Sequence, residues 1–140
     1  MKLLKPLLIF TILLISINSQ AQYIDLIGST ERQIRDKLSI DYPTVKKDTT
    51  DDGFIPRLNF VNQEKESSCS FYFYPKKDAC YLIKTIAPIG FIDAYIKLAN
   101  SRYKQVGNNV WQSNDVQIRI IRMGDKVLTT FTKLPSGREI

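Results

Sequence analysis

The chain has 140 residues, 20 lysines and arginines against 14 aspartates and glutamates, and no histidine. That length suits one domain with one core, and the missing histidine removes the commonest general base and the commonest metal ligand. The formal charge of +6 is spread among acids, as in Glu31/Arg32, Arg35/Asp36/Lys37 and Glu64/Lys65/Glu66, whereas nucleic-acid binders gather cations into a patch or stripe, so no nucleic-acid partner is expected.

Met1-Lys2-Leu3-Leu4-Lys5 is a short basic start. An apolar run follows from Leu7 to Ile17, and Asn18-Ser19-Gln20-Ala21 ends it. This three-part pattern predicts a secretory signal peptide over residues 1–21, with Ser19 and Ala21 at the small-residue positions and cleavage before Gln22. A spanning helix needs about 20 apolar residues, and Asn18 comes too early. The first cysteine is Cys69, so no lipid is expected behind the cleavage point. Residues 22–140 are then a single periplasmic or secreted domain, with no stable membrane insertion.

Thr30 and Gln33 are spaced as a capping box, and Ile34 and Leu38 share a face four residues apart. These predict a helix over 30–39, stopped before Pro43. The polar stretch Thr44 to Gly53 reads as a surface loop. Arg57 to Val61 alternates as a short strand. Cys69 to Tyr74 and Ala79 to Thr85 form a hairpin around Pro75-Lys76-Lys77-Asp78. Phe91, Ile92, Tyr95, Ile96, Leu98, Ala99 and Tyr103 give a helical apolar stripe, with Gly107 as its C-cap. Val110 to Gln112 is a short strand, and Val116 to Arg122 and Lys126 to Leu134 flank a Gly124-Asp125 turn. The two hairpins align on Asp78 and Asp125 as an internal repeat. The expectation is an α+β fold, α-β-β-β-α-β-β-β, in two helix-plus-three-strand halves, with both helices packed on one face of an antiparallel sheet.

Side chains alternate across a strand. With Tyr74 opposite Ala79, the residues Cys69, Phe71, Phe73, Cys80 and Leu82 face the core, and Tyr72, Tyr74, Tyr81 and Ile83 face outward. In the second hairpin Val116, Ile118, Ile120 and Phe131 share a face, and Arg119, Ile121 and Leu128 point the other way. Two cysteines in an exported chain suggest a disulfide. The register sets Cys69 about 13 Å from Cys80, beyond the reach of about 7 Å that a disulfide allows, so bonded and free states both stay open.

Chemistry is sparse. Asp48-Thr49-Thr50-Asp51-Asp52-Gly53 matches the opening of a calcium loop, but Asn59 stands at the twelfth position where a bidentate Glu belongs. No metal or other cofactor is expected. Neither cysteine has a histidine beside it, and no nucleophile elbow or phosphate loop is present. The single tryptophan, Trp111, is expected in the core.

Leu26-Ile27-Gly28-Ser29-Thr30-Glu31-Arg32-Gln33-Ile34-Arg35-Asp36-Lys37-Leu38 resembles the Gly-x-Thr-x-x-x-(Val/Ile)-x-x-x-Leu opening of β-lactamase-inhibitor-like domains and of the small lipoproteins of the outer-membrane barrel assembly machinery. The chain lacks the lipid-bearing cysteine of the latter. Phe71-Tyr72-Phe73-Tyr74, Cys80-Tyr81 and Tyr103 to Trp111 are similar to segments of small exported Bacteroidetes proteins of unknown function. The first resemblance implies a helical segment ahead of an antiparallel sheet and the binding of other proteins; the second implies a compartment and a fold type, and no activity. The function expected is a non-catalytic binding module of the cell envelope, with Tyr72, Tyr74, Tyr81 and Ile83 as its binding residues and an envelope protein as its partner. The alternatives are an envelope hydrolase using Asp and Glu carboxylates, and a structural subunit of an envelope complex.

Overall fold

The computed structural model describes residues 22–42 and 44–135. The predicted signal peptide lies outside the described residues. Within them the chain runs α1 (Glu31–Leu38), β1 (Thr44–Thr49), β2 (Pro56–Asn62), β3 (Ser67–Phe73), β4 (Cys80–Pro88), α2 (Ile92–Arg102), β5 (Lys104–Gly107), β6 (Val110–Ser113), β7 (Val116–Met123) and β8 (Lys126–Lys133). The strands form one sheet in the order β1-β2-β3-β4-β8-β7-β6-β5, with every neighbouring pair antiparallel.

The expected α+β division into two helix-plus-three-strand halves does not hold. Among the described residues a single eight-stranded antiparallel sheet dominates, with two short α-helices and two 3-10 turns. The strands that sequence patterning overlooked are the two edges. β1 runs through the polar stretch read as a loop, and β5 occupies residues read as the end of the second helix. An edge strand has one neighbour and is wet on its other side, so it carries little apolar alternation. Lysines there, such as Lys46, Lys47 and Lys104, also discourage pairing with other chains. Gly107 is accordingly a strand residue opposite Val110 and not a helix cap; α2 ends at Tyr103, whose N–H donates to the Ala99 carbonyl.

A second correction concerns register. Phe73 lies opposite Cys80 as expected, but the ladder shifts there, so that Tyr72 faces Leu82 and Phe71 faces Ile83. Tyr81 is the extra residue of a bulge. One inserted residue flips every side chain beyond it. Ile83 therefore points inward, fully buried, and Leu82 takes its place on the outer face. The second hairpin follows the expected register: Val116, Ile118, Ile120 and Phe131 are buried, and Arg119 and Ile121 are exposed. Gly124 opens its two-residue turn at φ 63°, a conformation that costs glycine little.

One buried cluster joins the inward side chains of the sheet to Ile34 and Leu38 of α1 and to Tyr95 and Ala99 of α2. Trp111 is within that cluster, and its Nε1–H donates to Asn100 Oδ1 of α2 at 2.9 Å. Both cysteines are buried and free. Cys69 lies opposite Thr85, and Cys80 lies opposite Phe73, four residues along the strand from Cys69, a separation of about 13 Å.

Helix α1 is tied at its start. Gln33 N–H donates to Thr30 Oγ1, Thr30 N–H donates to Gln33 Oε1, and Glu31 N–H donates to Asp78 Oδ1 in the β3–β4 turn. These bonds satisfy donors that a helix terminus otherwise leaves open. Thr30→Ala is expected to lower stability by about 1 kcal/mol, read as a drop in the urea midpoint at unchanged slope. On the inner face of β8, Thr129 Oγ1 is buried with no hydrogen-bond partner. Thr129→Val keeps the shape and removes the orphaned hydroxyl, and is expected to raise stability by about 1 kcal/mol in the same assay.

Candidate functional site

The outer face of the sheet is built from residues that alternate with the core. One row crosses seven strands: Lys46, Asn59, Ser70, Lys84, Thr130, Arg119 and Val110 lie successively opposite one another. The next row is Asp48, Arg57, Tyr72, Leu82, Thr132, Gln117, Gln112 and Lys104. Cations dominate these rows, and Asp48 is their only acid.

Asp48 is engaged by its neighbours. Arg57 donates Nε to its Oδ1 at 2.8 Å and Nη2 to its Oδ2 at 2.9 Å, and Asn59 Nδ2 donates to Oδ1 at 3.0 Å. Ser70 Oγ extends the chain to Asn59 Oδ1 at 2.7 Å. The Arg57 hydrogen bonds hold the Asp48 carboxyl below the usual carboxylate range. Tyr72 lies beneath two cations: Arg57 Cζ is 5.7 Å and Lys84 Nζ is 5.3 Å from its ring centroid. Such contacts stabilise both partners, and they leave Tyr72 only 9% exposed.

Of the residues singled out from the sequence, Tyr72, Tyr74 and Tyr81 come together, and Ile83 does not, because the bulge turns it into the core. The Tyr74 and Tyr81 rings pack 4.9 Å apart, with Tyr74 on the solvent side. Burial raises the Tyr81 phenol. Arg57, Lys84 and Arg119 are not among those site residues; the Arg57-Leu58-Asn59-Phe60 alternation is the signal for Arg57 and Ile118-Arg119-Ile120 that for Arg119, while the bulge at Tyr81 hides Lys84. The calcium-like segment is spent otherwise. Asp48 bonds Arg57 and Asn59, and Asp52 accepts from Thr50 Oγ1 and from the Phe54 N–H. Among the described residues no group of three or more His, Cys, Asp or Glu side chains is placed to hold a metal ion.

The inner side carries a different group. Tyr23 and Tyr42 hydroxyls are 2.8 Å apart beside Cys69. Burial pushes the Cys69 thiol and the Tyr42 phenol up to about 12 each, and the Tyr23 phenol well above its ordinary value. Burial likewise pushes the Cys80 thiol up to about 12. None is a thiolate or phenolate nucleophile near neutral pH.

Among the described residues no helix is long and apolar enough to cross a membrane. The chain matches no protein-family model, no curated protein and no solved structure.

The buried acids link stability to pH. Above the ordinary thiol and phenol range the unfolded chain loses protons that the folded chain keeps, so stability falls as pH rises. Their contribution is complete below about pH 8 and is lost progressively toward pH 12. Each group costs at most about 1.4 kcal/mol per pH unit in that window. Urea midpoints measured from pH 7.5 to 10.5 are expected to decline, and Cys69→Ala is expected to make the decline shallower.

Proposed function

We propose that this chain is an exported, non-catalytic binding module of the cell envelope that holds a protein partner against the outer face of its sheet. The observation that carries the reading is the charge of that face. Along the two rows Lys46, Arg57, Lys84, Lys104 and Arg119 stand with one acid, Asp48, which Arg57 already occupies, and Glu66 is paired with Lys126 farther along the same side. The buried clusters of both helices lie on the opposite side.

Tyr74, Ile121 and Met123 add exposed apolar surface on this side. Amphipathic aromatics and arginine beside apolar contacts suit a protein interface, and the excess of cations suits an acidic one. The export reading rests on the basic, apolar and small-residue pattern of residues 1–21.

The test is a crosslinking pull-down from the native envelope, with the protein as bait. Tyr72→Ser/Tyr81→Ser and Lys84→Glu/Arg119→Glu serve as controls, each checked for cooperative unfolding. The expected result is one partner captured by the wild type, captured less as salt rises, and lost with Lys84→Glu/Arg119→Glu. A partner retained by both variants places the interaction elsewhere and overturns the reading. An empty pull-down from a folded monomer also overturns it.

A further inference from the structure

The inner face has its own opening. Eight strands about 4.8 Å apart span about 34 Å, while two helices side by side cover about 20 Å. The two helices therefore do not roof this sheet alone; Tyr23, Leu26 and Ile89 also pack over it. Part of the gap is a cavity of about 440 Å³ above β4, between the end of α1 and the start of α2. That volume falls within the usual range for small-molecule sites.

Leu26, Leu38, Ala87, Phe91 and Tyr95 supply apolar wall. Thr85 and the Tyr23–Tyr42 hydroxyl pair supply polar groups, and both phenols stay neutral near pH 7. Charge is confined to exposed residues at the rim: Lys37 and Lys65, with Asp41. The described salt bridges engage Lys47, Arg35, Arg57 and Lys126, and neither rim lysine.

We propose that this cavity binds a small amphipathic acid, an alkyl or aryl body ending in a carboxylate. The apolar body fills the space beside Ala87, Phe91 and Tyr95, and the carboxylate stays at the mouth near the Lys37 and Lys65 ammoniums. A cationic ligand meets two like charges there against the one carboxylate of Asp41. A neutral one forgoes the attraction but keeps the burial. The site lies on the opposite side of the sheet from the proposed protein-binding face and does not depend on it.

Anilinonaphthalene sulfonate, itself an aryl anion, is the probe, titrated into the folded protein and displaced by decanoate, decanol or decylamine at equal concentration. The expected result is saturable binding at one site, with decanoate displacing about tenfold better than decanol and decylamine weakest. Lys37→Gln/Lys65→Gln, two exposed positions, is expected to bring decanoate down to the level of decanol and leave decanol unchanged. Ala87→Leu, which fills the cavity, is expected to abolish binding. The outer-face variant Lys84→Glu/Arg119→Glu is expected to bind the probe as the wild type does, which separates this site from the other. The proposal is overturned by non-saturable binding, by equal displacement with decanoate and decanol, or by decanoate affinity that survives Lys37→Gln/Lys65→Gln. The lysine variant decides the matter even if Ala87→Leu does not fold.

Discussion

The pairing of β4 with β8 is the constraint on which the rest of the structure depends. Each run of four consecutive strands is a meander whose last strand needs a neighbour. The ladder from Leu82↔Thr132 to Pro88↔Lys126 supplies it. Without that ladder, β4 and β8 would each end a sheet with unpaired backbone and apolar side chains at the edge. With it, Ile83 on β4 and Val127 and Phe131 on β8 become the buried centre of the sheet. The edges are instead β1 and β5, whose polar residues tolerate water. Joining the meanders this way also fixes the width of the sheet, and so the space that two short helices leave open.

Antiparallel pairing across eight strands gives the sheet two chemistries from one sequence. Inward positions on β3 read Cys69, Phe71 and Phe73; the positions between them read Ser70 and Tyr72 and face the outer side. Because neighbours in register stay on the same face, polar side chains from strands distant in sequence line up in rows. Asp48 of β1 meets Arg57 of β2, and Arg57 covers Tyr72 of β3. No short sequence motif contains that group. It exists only where three strands are aligned.

What the sequence made legible follows the same logic. Elements with a buried and an exposed side announce themselves by period: Ile34 and Leu38 on α1, Val116, Ile118 and Ile120 on β7, and the Thr30–Gln33 cap by its spacing. Elements without that asymmetry do not. β1 and β5 carry a single valine each, Val45 and Val106, so they resemble loops or helix ends. The bulge at Tyr81 is harder still, since Cys80-Tyr81-Leu82-Ile83 reads equally well in either register. The decision between Leu82 and Ile83 is made by packing: Ile83 completes the core beside Phe71 and Phe131. Hence the pattern places three tyrosines on the outer face correctly and misplaces Ile83.

The same accounting explains why, under the proposed binding role, the cations on the outer face offer more than the tyrosines. Tyr72 is covered by Arg57 and Lys84, so it has little surface left to offer. Asp48 neutralises Arg57 through a two-point contact, the arrangement in which an arginine and a carboxylate bind most strongly. Lys84 has the Tyr72 ring and, among the described residues, no salt bridge, and Arg119 stands exposed in the same row with Thr130 between them. A ring attracts a cation without cancelling its charge. Among the described residues no salt bridge engages Lys84 or Arg119, so both keep their charge on the face. Water and salt screen its field over about 8 Å at physiological ionic strength. Under the proposed binding role, only an acidic surface that approaches within that distance feels the field, and there the desolvated contact is strongest.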